Sequence, residues 1–426
     1  MSPEADLLLR NASELVTCAG DGSGPRKGSS QGELGMVEGG TVAARDGKIV
    51  AVGPDPEVMA SIALTDDARV LDASGRAVIP GFVDPHTHLV FSGTREFELD
   101  LKLRGKTYLE ILAAGGGILH TVKGTRESDL ATMVSDAMAR LDTMALWGTT
   151  TVEGKSGYGL DTPTEIRSLE AIAEAGRLHP LDVVPTFLGA HAVPPEYKDR
   201  PDEYIDLVID EMLPVVEEGK LARFCDVFCE EGVFTVEQSR RLLEAARSRG
   251  LIPKLHADEI VDLGGAALAA EVGAISADHL LMANHEGLRA MVDAGTIGVL
   301  LPGTPFALMM KDYPDARKMI DMGLPLALAT DLNPNCCTES MPFMIQLACF
   351  CMKMTPAEAL VAATINAAHA IGEHQRVGSL EVGKAADMVI LNAPNHMHIP
   401  YHFGVNLIAT VIKNGKVMVE DGVRVG

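Results

Sequence analysis

Aromatic residues are scarce in this chain, at 4% of 426 positions with a single tryptophan. A core of any size must therefore be aliphatic, and the hydrophobic share of 47% is ample for one. A surplus of positive charge is also missing. Lys and Arg number 36 against 59 Asp and Glu, a formal net charge of −23. Such a surface repels nucleic acid and anionic lipid, so neither is an expected partner. A small anionic ligand stays open, because exposed charges are screened beyond about 8–10 Å at physiological salt and a pocket can supply local positive charge.

The seven cysteines form no CxxC pair, and Cys225 and Cys229, four apart in a strand-like run, do not make a zinc knuckle. An odd number without such pairs fits reduced thiols better than a disulfide framework. No 18-residue stretch avoids charge, proline and glycine well enough to span a membrane. The N-terminal MSPEADLLLR has neither a basic n-region nor a long apolar h-region. The expectation is a soluble cytoplasmic protein.

What the chain does have is rhythm. In the first 80 residues, TVAARDGKIVAVG alternates around Asp46-Gly47, a favoured hairpin turn. The Gly- and Ser-rich stretch from Gly20 to Gly32 reads as a flexible surface loop. The far end repeats this pattern, since ADMVILNAP reads as a strand and ATVIKNGKVMVEDG turns at Asn414-Gly415. Residues 1–80 and 376–426 are therefore expected to pair into one small β-sandwich domain.

Residues 81–375 behave differently. Eight short apolar runs recur: AVIPGFVDPHTH, GTTTVEGKSG, DVVPTFLGAH, RFCDVFCEE, IPKLHADE, AISADHL, IGVLLPGT and PLALATD. Amphipathic segments such as SDLATMVSDAMARLDTMALW and VEQSRRLLEAARSRG separate several of them. Eight strands alternating with helices predict an α/β fold, a (β/α)8 TIM-like barrel. No glycine-rich phosphate fingerprint follows the first strand, which argues against a doubly wound open sheet.

Reactive groups of such barrels gather at the carboxyl ends of the strands. Here those ends carry His86 and His88, Lys155, His191, Glu230, His256 and Glu259, His279 and Asp331. Five of the thirteen histidines fall at these positions. Side chains two apart on a strand point the same way, about 6.6–7 Å apart. His86 and His88 can then converge on one ion with nitrogen–metal bonds of about 2.0–2.1 Å. Adding His256 and Asp331 gives three nitrogens and a carboxylate, with a position left for water. A divalent ion so held brings the pKa of water to about 7. Glu259 and His279 are candidates for moving protons and polarising a scissile carbonyl, and Asp331 could accept a proton as well as touch the ion. The alternatives are a helix-start carboxylate for Glu259 and a buried histidine bonded to Asp278 or backbone for His279. Lys155 lies too early in the strand order to be a carboxylated lysine bridging two metals, so a single metal is expected and Lys155 reads as a structural charge.

PGFVDPHTH, LHADE, ADHL and LATD together resemble the amidohydrolase superfamily. GGGI (Gly115 to Ile118), KSGYGL (Lys155 to Leu160), LGAHAVP, DVFCEEGVF, MTPAEAL, ATINAA and YHFG (Tyr401 to Gly404) resemble its imidazolonepropionase branch, the ring-opening hydrolases of histidine degradation. The resemblance covers essentially the whole chain. It implies one divalent metal per subunit, zinc or alternatively iron, held by His86, His88, His256 and Asp331. It implies hydrolysis of the cyclic amide C–N bond of 4-imidazolone-5-propanoate to N-formimidoyl-L-glutamate, and a homodimer. It places substrate contacts at Arg95, Tyr158, His191, Glu259 and Asn333, and in the turn at Asn335 and Cys336. Arg95 suits the propionate as a forked ion pair. The chain departs from the family at that turn, where many members read Asn-Pro-Gly and then a small hydroxyl residue, and this one reads Asn333-Pro334-Asn335-Cys336. Asn335 can take a left-handed conformation almost as glycine does, whereas Cys336 is a poorer donor than serine or threonine. The rival enzyme is a deaminase of a purine-like heterocycle from the same superfamily. A silent scaffold barrel would have lost a ligand or a proton-transfer group, and none is missing.

Overall fold

The computed structural model describes residues 2–20, 22, 24–106, 110 and 115–425. Its centre is an eight-stranded parallel sheet of β1 (Phe82–Asp84), β2 (Thr149–Lys155), β3 (Asp182–Ala190), β4 (Phe224–Cys229), β5 (Ile252–Ala257), β6 (Ser276–His279), β7 (Ile297–Leu300) and β8 (Leu326–Leu328). Each strand pairs with its neighbour in sequence. The eight apolar runs of the sequence become these eight strands. A parallel bridge between Thr87 and Leu332 closes the ring. His88 N donates to Leu332 O at 2.8 Å and Asp331 N to His86 O at 3.1 Å. Closing the barrel thus brings together the segments that carry His86, His88 and Asp331.

Helices cover the ring where the sequence repeats at helical spacing. Leu130–Leu146 starts at Asp129, whose side chain accepts from Thr132 N, and buries Met133, Ala137, Leu141 and Met144. Val236–Ser248 starts with a capping box of Thr235 and Gln238. Among the described residues no helix is long and apolar enough to cross a membrane.

Two further sheets lie outside the barrel. A four-stranded sheet contains Glu4–Ala12, Gly40–Arg45, Lys48–Pro54 and Ala63–Asp72. A seven-stranded sheet joins Glu14–Val16, Met36–Val37 and Ala77–Pro80 from one end of the chain to four strands between Met388 and Arg424 from the other. Leu7, Leu9, Leu15, Val78, Met388 and Ile412 pack into one buried cluster between them, the core of a small sandwich. Both expected hairpin turns are present. Asp46 and Gly47 have φ of 48° and 79°, and Asn414 and Gly415 have 47° and 72°, as two-residue hairpins require. The turns abut: a Cβ on Gly47 would stand 3.0 Å from Asn414 O.

One expectation is corrected. The end of the Gly20–Gly32 stretch is not a loose surface loop but packs on the barrel. Gly28–Gly32 is a short 3-10 helix, and the fully buried Gln31 exchanges two hydrogen bonds with the backbone of Leu326 at the start of β8. Asn366 brackets the Arg26 backbone from the other side. A buried amide with both ends satisfied explains why so polar a segment lies inward.

Candidate metal centre and substrate cavity

The site forms where the strands end. β1 stops at Asp84, so His86 and His88 stand just beyond it, on an extended segment that continues the ring rather than on the strand proper. Thr87, between them, turns away and donates to Glu153 O at 2.6 Å. His256 lies within β5, and His279 ends β6. Asp331 follows β8. His279 and Asp331 have left-handed backbones, with φ of 77° and 52°. Such non-glycine conformations cost about 1–3 kcal/mol each and persist where surrounding structure enforces them.

These side chains converge. The rings of His86 and His256 are 4.5 Å apart between centroids, His86 and His88 5.4 Å, and His256 and His279 5.2 Å. Asp331 Oδ1 lies 3.5 Å from Nε2 of both His86 and His88. Ligand atoms of His86, His88 and Asp331 lie within 4.8 Å of one another, as do those of His86, His256 and His279, and of His88, His191 and His256. The predicted four are therefore brought together, with His191 and His279 at their margin. Nε2 of His86, His256 and His279 and Oδ1 of Asp331 are buried without a hydrogen-bond partner. Unpaired buried polar atoms are costly, and such atoms gathered in overlapping triads of possible ligands fit a divalent cation.

Outer carboxylates orient these donors. His86 Nδ1 meets Asp278 Oδ2 at 2.6 Å, and Asp226 Oδ2 lies 3.0 Å from His256 Nδ1. Asp278 therefore serves His86, and His279 instead lies 3.7 Å from Glu259. Lys155 is fully buried and donates to Glu153 and Asp226 at 2.7 and 2.8 Å, with Asp278 3.8 Å away. Burial disfavours its charge, but these carboxylates outweigh burial and raise its pKa. It ties together the two carboxylates that position His86 and His256, the structural role expected from its place in the sequence. Burial brings His88 down to about 4 and keeps His86 and His191 well below the ordinary imidazole range, so their lone pairs are available. At Asp331 burial favours the acid, yet His88, the nearby imidazoles and Thr304 outweigh it and hold the carboxyl well below its usual range. Burial pushes Glu259 upward against the pull of His279.

A cavity of about 210 Å³ opens over this centre, lined by Arg95, Tyr158, His191, Glu259, Asn333 and Asn335 among others. His191 Nδ1 donates to Gly157 O at 2.9 Å, which leaves Nε2 to face the cavity. Asn333 largely builds its own turn: Oδ1 accepts from Asn335 N and Cys336 N at 2.8 and 3.0 Å, and Nδ2 donates to Asp331 O. Two details at this turn differ from the expectation. Asn335 does not need a left-handed backbone, since the left-handed residue here is Asp331. Cys336 stays outside this cavity, buried with Sγ 3.6 Å from Thr330 O.

Two contributors, Thr304 and Lys102, were not foreseen from the sequence, while Glu230, expected as a strand-end carboxylate, takes a positioning role. Thr304, in the helix after β7, donates to Asp331 Oδ2 at 2.5 Å. Glu230 accepts from Ile260 N and Val261 N and so fixes the loop that presents Glu259. Lys102 lines the cavity and bonds Asn335. Its signal was present: Arg95, Glu98 and Lys102 recur at the spacing of one helix face.

The amidohydrolase family model matches residues 77–418. The chain is 57% identical over 419 residues to an imidazolonepropionase of Symbiobacterium thermophilum, covering 98% of each chain. It is 57% identical over 418 residues to one of Geobacillus kaustophilus, again covering 98% of each. An adenosine deaminase from Xanthomonas campestris with bound zinc has the same fold, with a TM-score of 0.69 at 19% identity over 100% of this chain and 95% of that one.

Proposed function

The chain belongs to the amidohydrolase family and, within it, to the imidazolonepropionases, and on that premise we propose that it hydrolyses 4-imidazolone-5-propanoate to N-formimidoyl-L-glutamate. The observation that carries this reading is the full-length likeness to bacterial imidazolonepropionases. The cavity suits it, with buried imidazoles and carboxylates at its floor and cationic side chains at its wall.

The resident cofactor is a divalent metal, one per subunit in our reading. Zinc is the first choice and iron the alternative, with His86, His88, His256 and Asp331 as the holding set. When bound, such an ion supplies Lewis acidity and lowers the pKa of water to about 7. The reaction adds water to the ring carbonyl and breaks the adjacent C–N bond. The water oxygen stays in the new carboxylate, and a proton goes to the departing nitrogen. Glu259 takes that proton from the water and returns it to the nitrogen, which suits a carboxyl raised by burial. His279, beside Glu259, hydrogen-bonds the carbonyl oxygen. Tyr158, His191 and Asn333 orient the ring. The same reading puts the enzyme in the cytoplasm as a homodimer.

The test is turnover of freshly generated 4-imidazolone-5-propanoate, with product identification, with and without a chelator. Chelator-sensitive formation of N-formimidoyl-L-glutamate is the expected result. Inert, folded, metal-loaded protein would discard the substrate, and ammonia release from a purine-like heterocycle would move the chain to the deaminases.

A further inference from the structure

Two cations line the cavity wall, and one of them is already neutralised. Arg95 donates Nε and Nη2 to Glu98 at 2.7 and 2.8 Å. Glu98 is only 3% exposed and also accepts from Gly117 N at 2.6 Å, so this fork is braced into the protein. Lys102 stands seven residues further along, near the end of the helix Glu96–Leu103. Its Nζ donates to Asn335 Oδ1 at 2.6 Å, a neutral acceptor, and it makes no ion pair among the described residues. With Arg95 and Glu98 cancelling, the charge this wall offers an incoming ligand is that of Lys102. An ammonium has three donors, so the bond to Asn335 leaves two for a carboxylate.

Position adds to the argument. Lys102, Arg95 and Asn335 also border a wider groove of about 1110 Å³ that adjoins the cavity. A carboxylate passing from groove to cavity meets Lys102 on the shared wall.

We propose that Lys102, held in place by Asn335, selects the carboxylate tail of the substrate, with Arg95 as a braced neighbour rather than its sole partner. The proposal rests on the imidazolone reading above. It assigns substrate selection to a residue that touches no reacting atom, so its loss falls on binding and leaves turnover nearly intact.

The test uses the zinc-loaded full chain and Lys102→Met, Lys102→Arg and Asn335→Ala. Substrates are 4-imidazolone-5-propanoate and its uncharged propanamide. Lys102→Met is expected to raise KM for the propanoate on the order of 10–100-fold, as loss of a charge-assisted hydrogen bond does, with kcat changed less than about threefold. KM for the propanamide should hardly move, and Lys102→Arg should restore most of the affinity. Asn335→Ala should fall between. An unchanged KM in Lys102→Met, or an equal loss on both substrates, overturns the proposal. Calorimetric binding of glutarate separates the two readings. If wild type leaves the imidazolone untouched, the reaction assignment fails, while loss of glutarate binding in Lys102→Met alone still supports an anion-selecting lysine. Equal glutarate binding by both proteins rejects it.

Discussion

Within the five residues LHADE, three polar side chains take three different tasks. His256 points to the ion site, Asp258 accepts from the N–H groups of Leu263, Gly264, Gly265 and Ala266, and Glu259 lines the cavity. Removing each should therefore break something different. Glu259→Gln should lower kcat by about 10²–10⁴-fold, the usual range for losing a general acid–base group, with metal content unchanged. The pH dependence supplies the sign. A base with a raised pKa is active when ionised, so wild-type kcat should fall as pH drops through a value above the ordinary carboxylate range, and Glu259→Gln should lose that limb. A persisting acid limb in the variant would assign the base to another group. Asp278→Asn acts one step back from the ion. It weakens the acceptor that fixes His86 Nδ1, and metal affinity should fall about 10–100-fold in chelator competition. Unaltered affinity would show that Asp278 serves the Lys155 cage more than His86.

At the scale of elements, the segment KSGYGL shows how a turn can be as demanding as a strand. Gly157 has φ of 118°, and a Cβ there would stand 3.0 Å from Leu188 O and 3.1 Å from the His191 ring. No L side chain meets both conditions. Gly157→Ala should cost about 1–3 kcal/mol in denaturant unfolding, and the displaced His191 should raise KM more than a distant substitution of equal cost. A variant of unchanged stability would mean the turn relaxes without moving His191. Such elements also mark what was legible from sequence. The barrel strands announced themselves as apolar runs, and the hairpins through Asp46-Gly47 and Asn414-Gly415, because strand burial and left-handed turns impose local composition. His86, His88, His256 and Asp331 could be grouped because barrel topology sends strand ends to one face. Thr304 was not recognised as a contributor, and Glu230 was named as a strand-end carboxylate but not as the anchor of the Glu259 loop, since one hydroxyl or carboxylate near a strand end has no periodicity to betray its partner. Gln31 was read as loop for a sharper reason. Its partner Leu326 is 295 residues away, and a Gly- and Ser-rich context says nothing about where an amide will be buried.

On the scale of the molecule, the ion site and barrel closure are one device. The bridge between Thr87 and Leu332 joins the first and last strands of the ring, and the residues flanking it are His86, His88 and Asp331. Without an ion, that seam holds imidazoles and a carboxylate whose buried atoms lack partners. An ion held by the proposed set would tie β1 to β8 and, through His256, to β5 across the ring. Binding to the folded chain alone stabilises it by about 4 kcal/mol when free ion exceeds its dissociation constant a thousandfold. Chelator-treated protein should therefore unfold at lower temperature than zinc-loaded protein, in calorimetry at matched pH, and added zinc should restore the difference. His256→Ala should keep the fold yet lose most of this zinc-dependent shift along with activity, since it removes one of the proposed ligands without touching the seam. If the variant kept the full shift, the stabilising ion would bind elsewhere. If wild type bound zinc with no shift, the unfolded chain would hold the ion as well as the barrel does, and seam and site would be neighbours rather than partners.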